Sequence, residues 1–175
     1  MANKFQPKYP KDTVLIAVND SSYADYAVSW YCQHIHRAGN EVILVHCMDS
    51  SDTSDASVRL GREEQMLELE KGFIDKMSTF GVDATIRQIS GKPGEAICKA
   101  AEEECATVII TGTRGLGKLK RAFLGSVSDY IVHHATVPVL VCKSGEDKEK
   151  DKDGDDEKKD RRWSRKSKSK KGHPD

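Results

Sequence analysis

The sequence predicts an α/β protein, a single doubly wound domain with a five-stranded parallel sheet and helices on both faces. Three observations predict it. Short β-rich apolar runs alternate with stretches of helical spacing, the pattern of successive βαβ units. The runs are nearly continuous in apolar residues rather than alternating, as strands covered on both faces require. And 175 residues, 37% hydrophobic and 32% charged, suffice for one core plus a polar extension, since a domain of about 130 residues buries about two-thirds of its unfolded surface.

Each element has its own signal. Thr13–Asn19 (TVLIAVN) is the first buried strand, and Asp20, Ser21 or Ser22 can cap the helix after it. That helix carries Ala24, Ala27, Val28, Tyr31 and Ile35 at helical spacing, and Gly39 is expected to close it. Glu41–Cys47 (EVILVHC) is the second strand, and Asp49–Ser57 reads as a loop rich in Ser and Asp. A long helix over Val58–Phe80 places Met66, Leu69, Phe73, Met77 and Phe80 on one face, with Gly81 after it. Ala84–Ser90 is a third strand, Gly91–Gly94 a turn, and Glu95–Glu104 a short helix through Ile97, Ala100 and Ala101. Thr107–Thr111 (TVIIT) is the fourth strand. After a glycine-bearing connection, Ser126–His134 is a helix with Val127, Tyr130, Ile131 and His134 in register, and Val137–Cys142 is the last strand. Right-handed crossovers then put the ligand crevice at the carboxyl ends of the strands, where the strand order reverses. Pro138 near the start of the final strand favours an edge position, and an apolar edge commonly pairs with a second chain.

The 28 basic and 28 acidic residues cancel, so net charge points to neither nucleic acid nor membrane. Cys32, Cys47, Cys98, Cys105 and Cys142 form no C-x-x-C pair, a pattern of reduced thiols rather than a disulfide framework or zinc site. The polar segment 1–12 lacks the apolar region of a signal peptide and is expected to be flexible. The expected location is cytoplasmic, with the nucleus left open by the tail.

The most informative segment is Gly112-Thr-Arg-Gly115-Leu-Gly-Lys-Leu-Lys-Arg-Ala-Phe-Leu-Gly125-Ser126, which leaves a buried strand and enters a helix. Glycines there let main-chain amides approach an anion, and the helix N-terminus adds unpaired N–H groups and a positive dipole end. Ser126 adds a hydroxyl, and Arg114, Lys118, Lys120 and Arg121 add positive charge. These features together describe a phosphate site, against the plainer alternative of glycine turns with a solvated basic face. Gly112–Leu119 misses the P-loop pattern at its last position, where Leu119 cannot ligate magnesium, and Lys120 breaks the dinucleotide pattern G-x-G-x-x-G.

Gly112, Gly115, Gly125 and Ser126 match G-x2-G-x9-G-[ST] at every fixed position, flanked by VLIAVNDSS, EVILVHCMD, GKPGEAI and VPVLVCK. In these features the chain resembles the universal stress protein family, specifically its ATP-binding branch, over roughly residues 12–143. The resemblance implies sheet order 3-2-1-4-5 and a homodimer through the final strand. It implies ATP as ligand, AMP and ADP being admitted, with Mg2+ entering through the nucleotide only. Gly112, Thr113, Arg114 and Gly115 would lie along the ribose and phosphates, and Gly125, Ser126 and Val127 would close over the phosphates. Ala17, Val18, Asn19 and the main chain of Cys47 would frame adenine and ribose. The family usually has Asp where this chain has Asn19, which keeps a carbonyl acceptor but loses the charge. Asp20 substitutes from the next position or caps the first helix.

His133 and His134 are adjacent on a helix and point different ways, which argues against a shared metal. His46 lies in an apolar strand, as a core histidine or at the edge of the site. No catalytic residue and no metal ligand is assigned. Residues 144–175 are highly charged and nearly free of apolar residues, the composition of a disordered tail. Within it Arg161–Lys171 (RRWSRKSKSKK) is purely basic. It suits RNA, import factors or anionic surfaces, with Ser164, Ser167 and Ser169 as phosphorylation sites that would weaken such contacts; a solvated self-neutralising tail is the alternative. The expected function is an ATP-binding stress-response or regulatory protein whose hydrolysis is slow or absent. The alternatives are a weak ATPase or adenylate-using enzyme, with Asp20 or His46 as the base, and an interaction scaffold without nucleotide.

Overall fold

The computed structural model describes residues 11–48, 56–113 and 124–143. In chain order the elements are β1 (Thr13–Val18), α1 (Ser22–His34), β2 (Glu41–Met48), α2 (Ala56–Thr79), β3 (Thr85–Ser90), α3 (Pro93–Glu103), β4 (Val108–Gly112), α4 (Ser126–His134) and β5 (Val139–Cys142). The sheet order is β3-β2-β1-β4-β5, and every pairing is parallel. The strand order therefore reverses between β1 and β4, and β5, preceded by Pro138, occupies an edge.

The alternation of side chains along each strand divides the core into two layers. Val14, Ile16 and Val18 of β1 with Val42 and Leu44 of β2 pack against Ala24, Ala27, Val28 and Tyr31 of α1 and Phe73 and Met77 of α2. Leu15, Ala17, Ile43, Val45 and Ile109 point the other way, against Ile97, Ala100 and Ala101 of α3 and Ile131 of α4. The unbroken apolar runs Val14–Val18 of β1 and Val42–Val45 of β2 thus serve two layers at once.

Helix boundaries depend on local hydrogen bonds. Ser21 is the N-cap of α1, its hydroxyl accepting from the Ala24 amide at 3.2 Å. The helix ends at His34, short of Gly39. Buried Tyr31 accounts for the early stop: its carbonyl accepts from both Ile35 and His36, and its hydroxyl lies 3.0 Å from His36 Nδ1. Gly39, with φ +98°, turns the connection instead. At the end of α2 the Gly81 amide donates to Ser78 and the Val82 amide to Met77, a Schellman closure with Gly81 at φ +69°. The closure turns the chain aside before Phe80 can join Phe73 and Met77, and Phe80 stays exposed. α3 begins at Pro93, two residues earlier than its apolar spacing indicates, because proline is preorganised for the first helical position. Gly94 lets α3 approach α4, since a Cβ there would lie 2.7 Å from a ring carbon of Tyr130.

Candidate functional site

The crevice at the strand reversal is built from two connections, β1 to α1 and β4 to α4. They abut through Gly112, where an added Cβ would lie 2.7 Å from the Tyr23 carbonyl oxygen in the first turn of α1. Only a residue without a side chain permits that approach.

On the β4 side the Thr113 amide donates to the Cys142 carbonyl at 3.1 Å, extending the β4–β5 ladder by one residue. The Thr113 carbonyl accepts from the Gly125 amide at 2.6 Å and lies 3.1 Å from Ser128 Oγ. The chain that leaves β4 is therefore tied to its own return point at the head of α4. Ser128 Oγ also lies 2.9 Å from the Gly125 carbonyl, and Ser128 is buried. Thr113 is buried too, and among the described residues its hydroxyl has no hydrogen-bond partner. Buried polar atoms seldom remain so, and an orphaned donor beside a helix N-terminus fits a polar ligand. Gly125 is the N-cap of α4 and has no side chain with which to occupy the first-turn amides. The positive end of α4 is thereby left for an external acceptor.

On the β1 side Asn19 Oδ1 accepts from the Ser21 hydroxyl at 2.7 Å, and the Asn19 carbonyl accepts from the Ser21 amide at 2.7 Å. Ser21 Oγ already accepts from Ala24, so its proton goes to Asn19. The carboxamide of Asn19 thus has its oxygen engaged and its NH2 group turned to other partners, a donor where an aspartate would offer only acceptors. Asp20 is exposed and does not cap α1; Ser21 does. Ala17 and Val18 bury their side chains on opposite faces of β1, which leaves them only main-chain atoms for a ligand. Cys47 near the end of β2 is half-buried, its Sγ 3.5 Å from the Gly91 carbonyl in the β3–α3 turn.

Of the site residues read from sequence, the strand ends and the α4 head carry Ala17, Val18, Asn19, Asp20, Cys47, Gly112, Thr113, Gly125, Ser126 and Val127. Arg114 and Gly115, with Lys118, Lys120 and Arg121, lie outside the described residues. Sequence reading missed two contributors. Ser128 ties the loop base to α4, and its only signal was a small polar residue inside a helix otherwise read for its apolar face. Tyr23 sets the approach to Gly112, and no local pattern reports a contact between elements so distant in sequence.

The histidines take other roles. His46 faces α2, with Nδ1 3.8 Å from Glu70 Oε1, while Gln88 Nε2 donates to both Glu70 oxygens at 2.9 and 3.1 Å. His133 and His134 each turn Nδ1 back 2.8 Å from a carbonyl one turn earlier. Among the described residues no group of His, Cys, Asp or Glu is placed to hold a metal ion, and no helix is long and apolar enough to cross a membrane.

Cys142, at the far end of β5, lines a small hollow with Tyr26, Trp30, Leu140, Val141 and Lys143. Burial pushes its thiol up to about 11. Folding favours the neutral thiol, so its contribution to stability is present below the ordinary thiol pKa and is lost as pH rises from there through about 11. Alkylation between pH 7 and pH 9 is therefore expected to label exposed Cys105 well before Cys142, as residue-resolved mass spectrometry will show.

The parallel sheet, its reversal between β1 and β4, and the glycine-capped helix beside that reversal define a doubly wound α/β protein with a switch-point crevice. The universal stress protein family profile matches residues 11–143, and the chain belongs to that family. A Thermus aquaticus universal stress protein is 32% identical over 136 residues, covering 75% of this chain and 98% of the relative. Among solved structures, the protein MJ0577 superposes with a TM-score of 0.69 at 25% identity, covering 78% of this chain and 98% of that one. An Arabidopsis thaliana universal stress protein family member, At3g01520, solved with AMP bound, gives a TM-score of 0.62 at 26% identity over 78% of this chain and 94% of that one.

Proposed function

We propose that the chain binds an adenine nucleotide, ATP above all, in the crevice between the β1–α1 and β4–α4 connections, and acts as a regulatory stress-response protein rather than a rapid hydrolase. The observation that carries the reading is the tie between the Thr113 carbonyl and the Gly125 amide, which closes the base of the loop beside a helix N-terminus whose cap has no side chain. The AMP held by the Arabidopsis relative supports the ligand class.

In this proposal the amides of Ser126 and Val127 face the phosphates, Thr113 supplies its buried hydroxyl, and Arg114 and Gly115 complete the motif from outside the described residues. The Asn19 NH2 group donates to ribose oxygens, Ala17, Val18 and Cys47 offer main-chain atoms to the base, and Asp20 lies at the rim. An amide at position 19 is a poor metal ligand, so Mg2+ accompanies the nucleotide rather than binding the protein first. Neither group considered as a general base is favoured by its position: His46 faces α2 and Glu70, and Asp20 is exposed. Residues 13–143 form the nucleotide-binding unit and 144–175 a charged extension. The half-buried edge strand β5 pairs with a second copy.

Calorimetric titration of the full chain with ATP and with AMP tests the reading. One site is expected, tighter for ATP because more phosphate oxygens reach the α4 amides and basic loop residues. Stability is expected to rise by about 2.7 kcal/mol at about a hundredfold excess over Kd. Absence of both heat and thermal stabilisation at saturating concentrations of either nucleotide would overturn it.

A further inference from the structure

α2 carries two leucines that the core does not use. Leu60 is 66% and Leu67 62% exposed, against 36–43% for the other exposed large apolar residues among the described ones. Seven residues apart, they lie on one stripe of the helix, two turns from each other. Glu63 and Glu64 sit between them on the same stripe, three and four residues from each leucine, and Glu68 flanks it. Among the described residues no cation pairs with these three carboxylates. Single exposed leucines are ordinary; two on one stripe with exposed carboxylates between them form a surface of defined chemistry, apolar and acidic together.

We infer that this face of α2 is the docking site for the chain's own segment Arg161–Lys171, with Trp163 laid over Leu60 and Leu67 and the flanking cations on Glu63, Glu64 and Glu68. The segment has seven Lys or Arg residues, no acid, and one of the protein's two tryptophans. An indole and a set of cations in one short stretch match what α2 presents, because Trp and Arg together are the residues that most often anchor a contact. The acidic run Glu146–Asp160 competes for the cations but contains no apolar residue, so it offers the indole nothing. Reach is not limiting. The 19 residues from Ser144 to Arg162 extend to about 60 Å, and a domain of this size has a radius of gyration of about 14 Å. Phosphorylation of Ser164, Ser167 or Ser169 places negative charge against the same glutamates and releases the segment. The contact is independent of whether the crevice binds nucleotide.

Fluorine NMR of the full chain carrying fluorotryptophan tests it, Trp30 and Trp163 being told apart with Trp163→Phe. The expected result is a Trp163 resonance displaced and broadened relative to a free peptide of residues 159–175. Leu60→Ser with Leu67→Ser is expected to return it to the peptide position, as is Glu63→Gln with Glu64→Gln and Glu68→Gln. High salt and Ser164→Asp with Ser167→Asp and Ser169→Asp are expected to do the same. All five substituted positions on α2 are exposed, so the fold is retained, with circular dichroism as the check. A Trp163 resonance that already coincides with the peptide overturns the inference, as does a displacement that survives both α2 variants. Loss of the displacement on dilution assigns the contact to a second copy and overturns its intramolecular form.

Discussion

Gly112→Ala is expected to destabilise the protein by about 1–3 kcal/mol, at the upper end of that range for overpacking, and Gly112→Val by more. The added Cβ meets the Tyr23 carbonyl oxygen at 2.7 Å and its carbonyl carbon at 2.8 Å, and main chain cannot swing aside as the tip of a side chain can. α1 cannot retreat as a body either. Its cap is fixed by Ser21 and Asn19, and Ala24, Ala27, Val28 and Tyr31 are packed on the sheet. Moving the helix outward would open a void beneath four residues to relieve one contact. Gly72→Ala is the matched control. It lies in the exposed interior of α2, where an added Cβ meets nothing within 4 Å, so the change is expected to stabilise by about 0.5–1 kcal/mol. Denaturant unfolding of the two variants reads both signs, and a Gly112→Ala protein as stable as the wild type would refute the close approach. Where the variant stays folded, the gap between the two connections widens, so weakened nucleotide affinity is expected alongside lowered stability.

That contact also shows where sequence reading stops. β1 and β2 were legible because residues such as Leu15, Ile16, Leu44 and Val45 are apolar on both faces, and a strand buried twice leaves no ambiguity of period. The crossover pattern then implied the parallel sheet and the helices on both faces. Boundaries were less legible, because they depend on which of several competent groups makes the bond. Asp20, Ser21 and Ser22 can all cap α1, and only the folded chain, with Ser21 between Asn19 and Ala24, selects one. Gly39 carried the usual stop signal, yet the Tyr31 carbonyl and hydroxyl end the helix earlier by holding Ile35 and His36. At the candidate site the glycine spacing identified both ends of the loop, since Gly112 and Gly125 are punctuation that sequence displays. The buried Ser128 and the approach of Tyr23 could not be read, since each depends on an element from elsewhere in the chain.

Ser126→Asp is expected to separate stability from ligand binding by moving them in opposite directions. Ser126 is the first residue of α4 and is exposed, and its Gly125 cap leaves the first-turn amides without a side-chain acceptor. A carboxylate there interacts favourably with the helix dipole, and the fold is expected to gain about 0.3–1 kcal/mol. If the same amides receive nucleotide phosphates, as proposed, the carboxylate occupies their place and repels them. Two unit charges about 5 Å apart at an effective dielectric near 20 interact by about 3 kcal/mol, so affinity for ATP is expected to fall roughly a hundredfold. AMP carries less charge and is expected to lose less. Ser126→Asn, a competent first-turn residue without the charge, is expected to preserve most of the affinity. Thermal unfolding and calorimetric titration on the same preparations read both quantities. A Ser126→Asp protein that is more stable and still binds ATP as the wild type does would move the phosphates away from α4, and the proposed site with them.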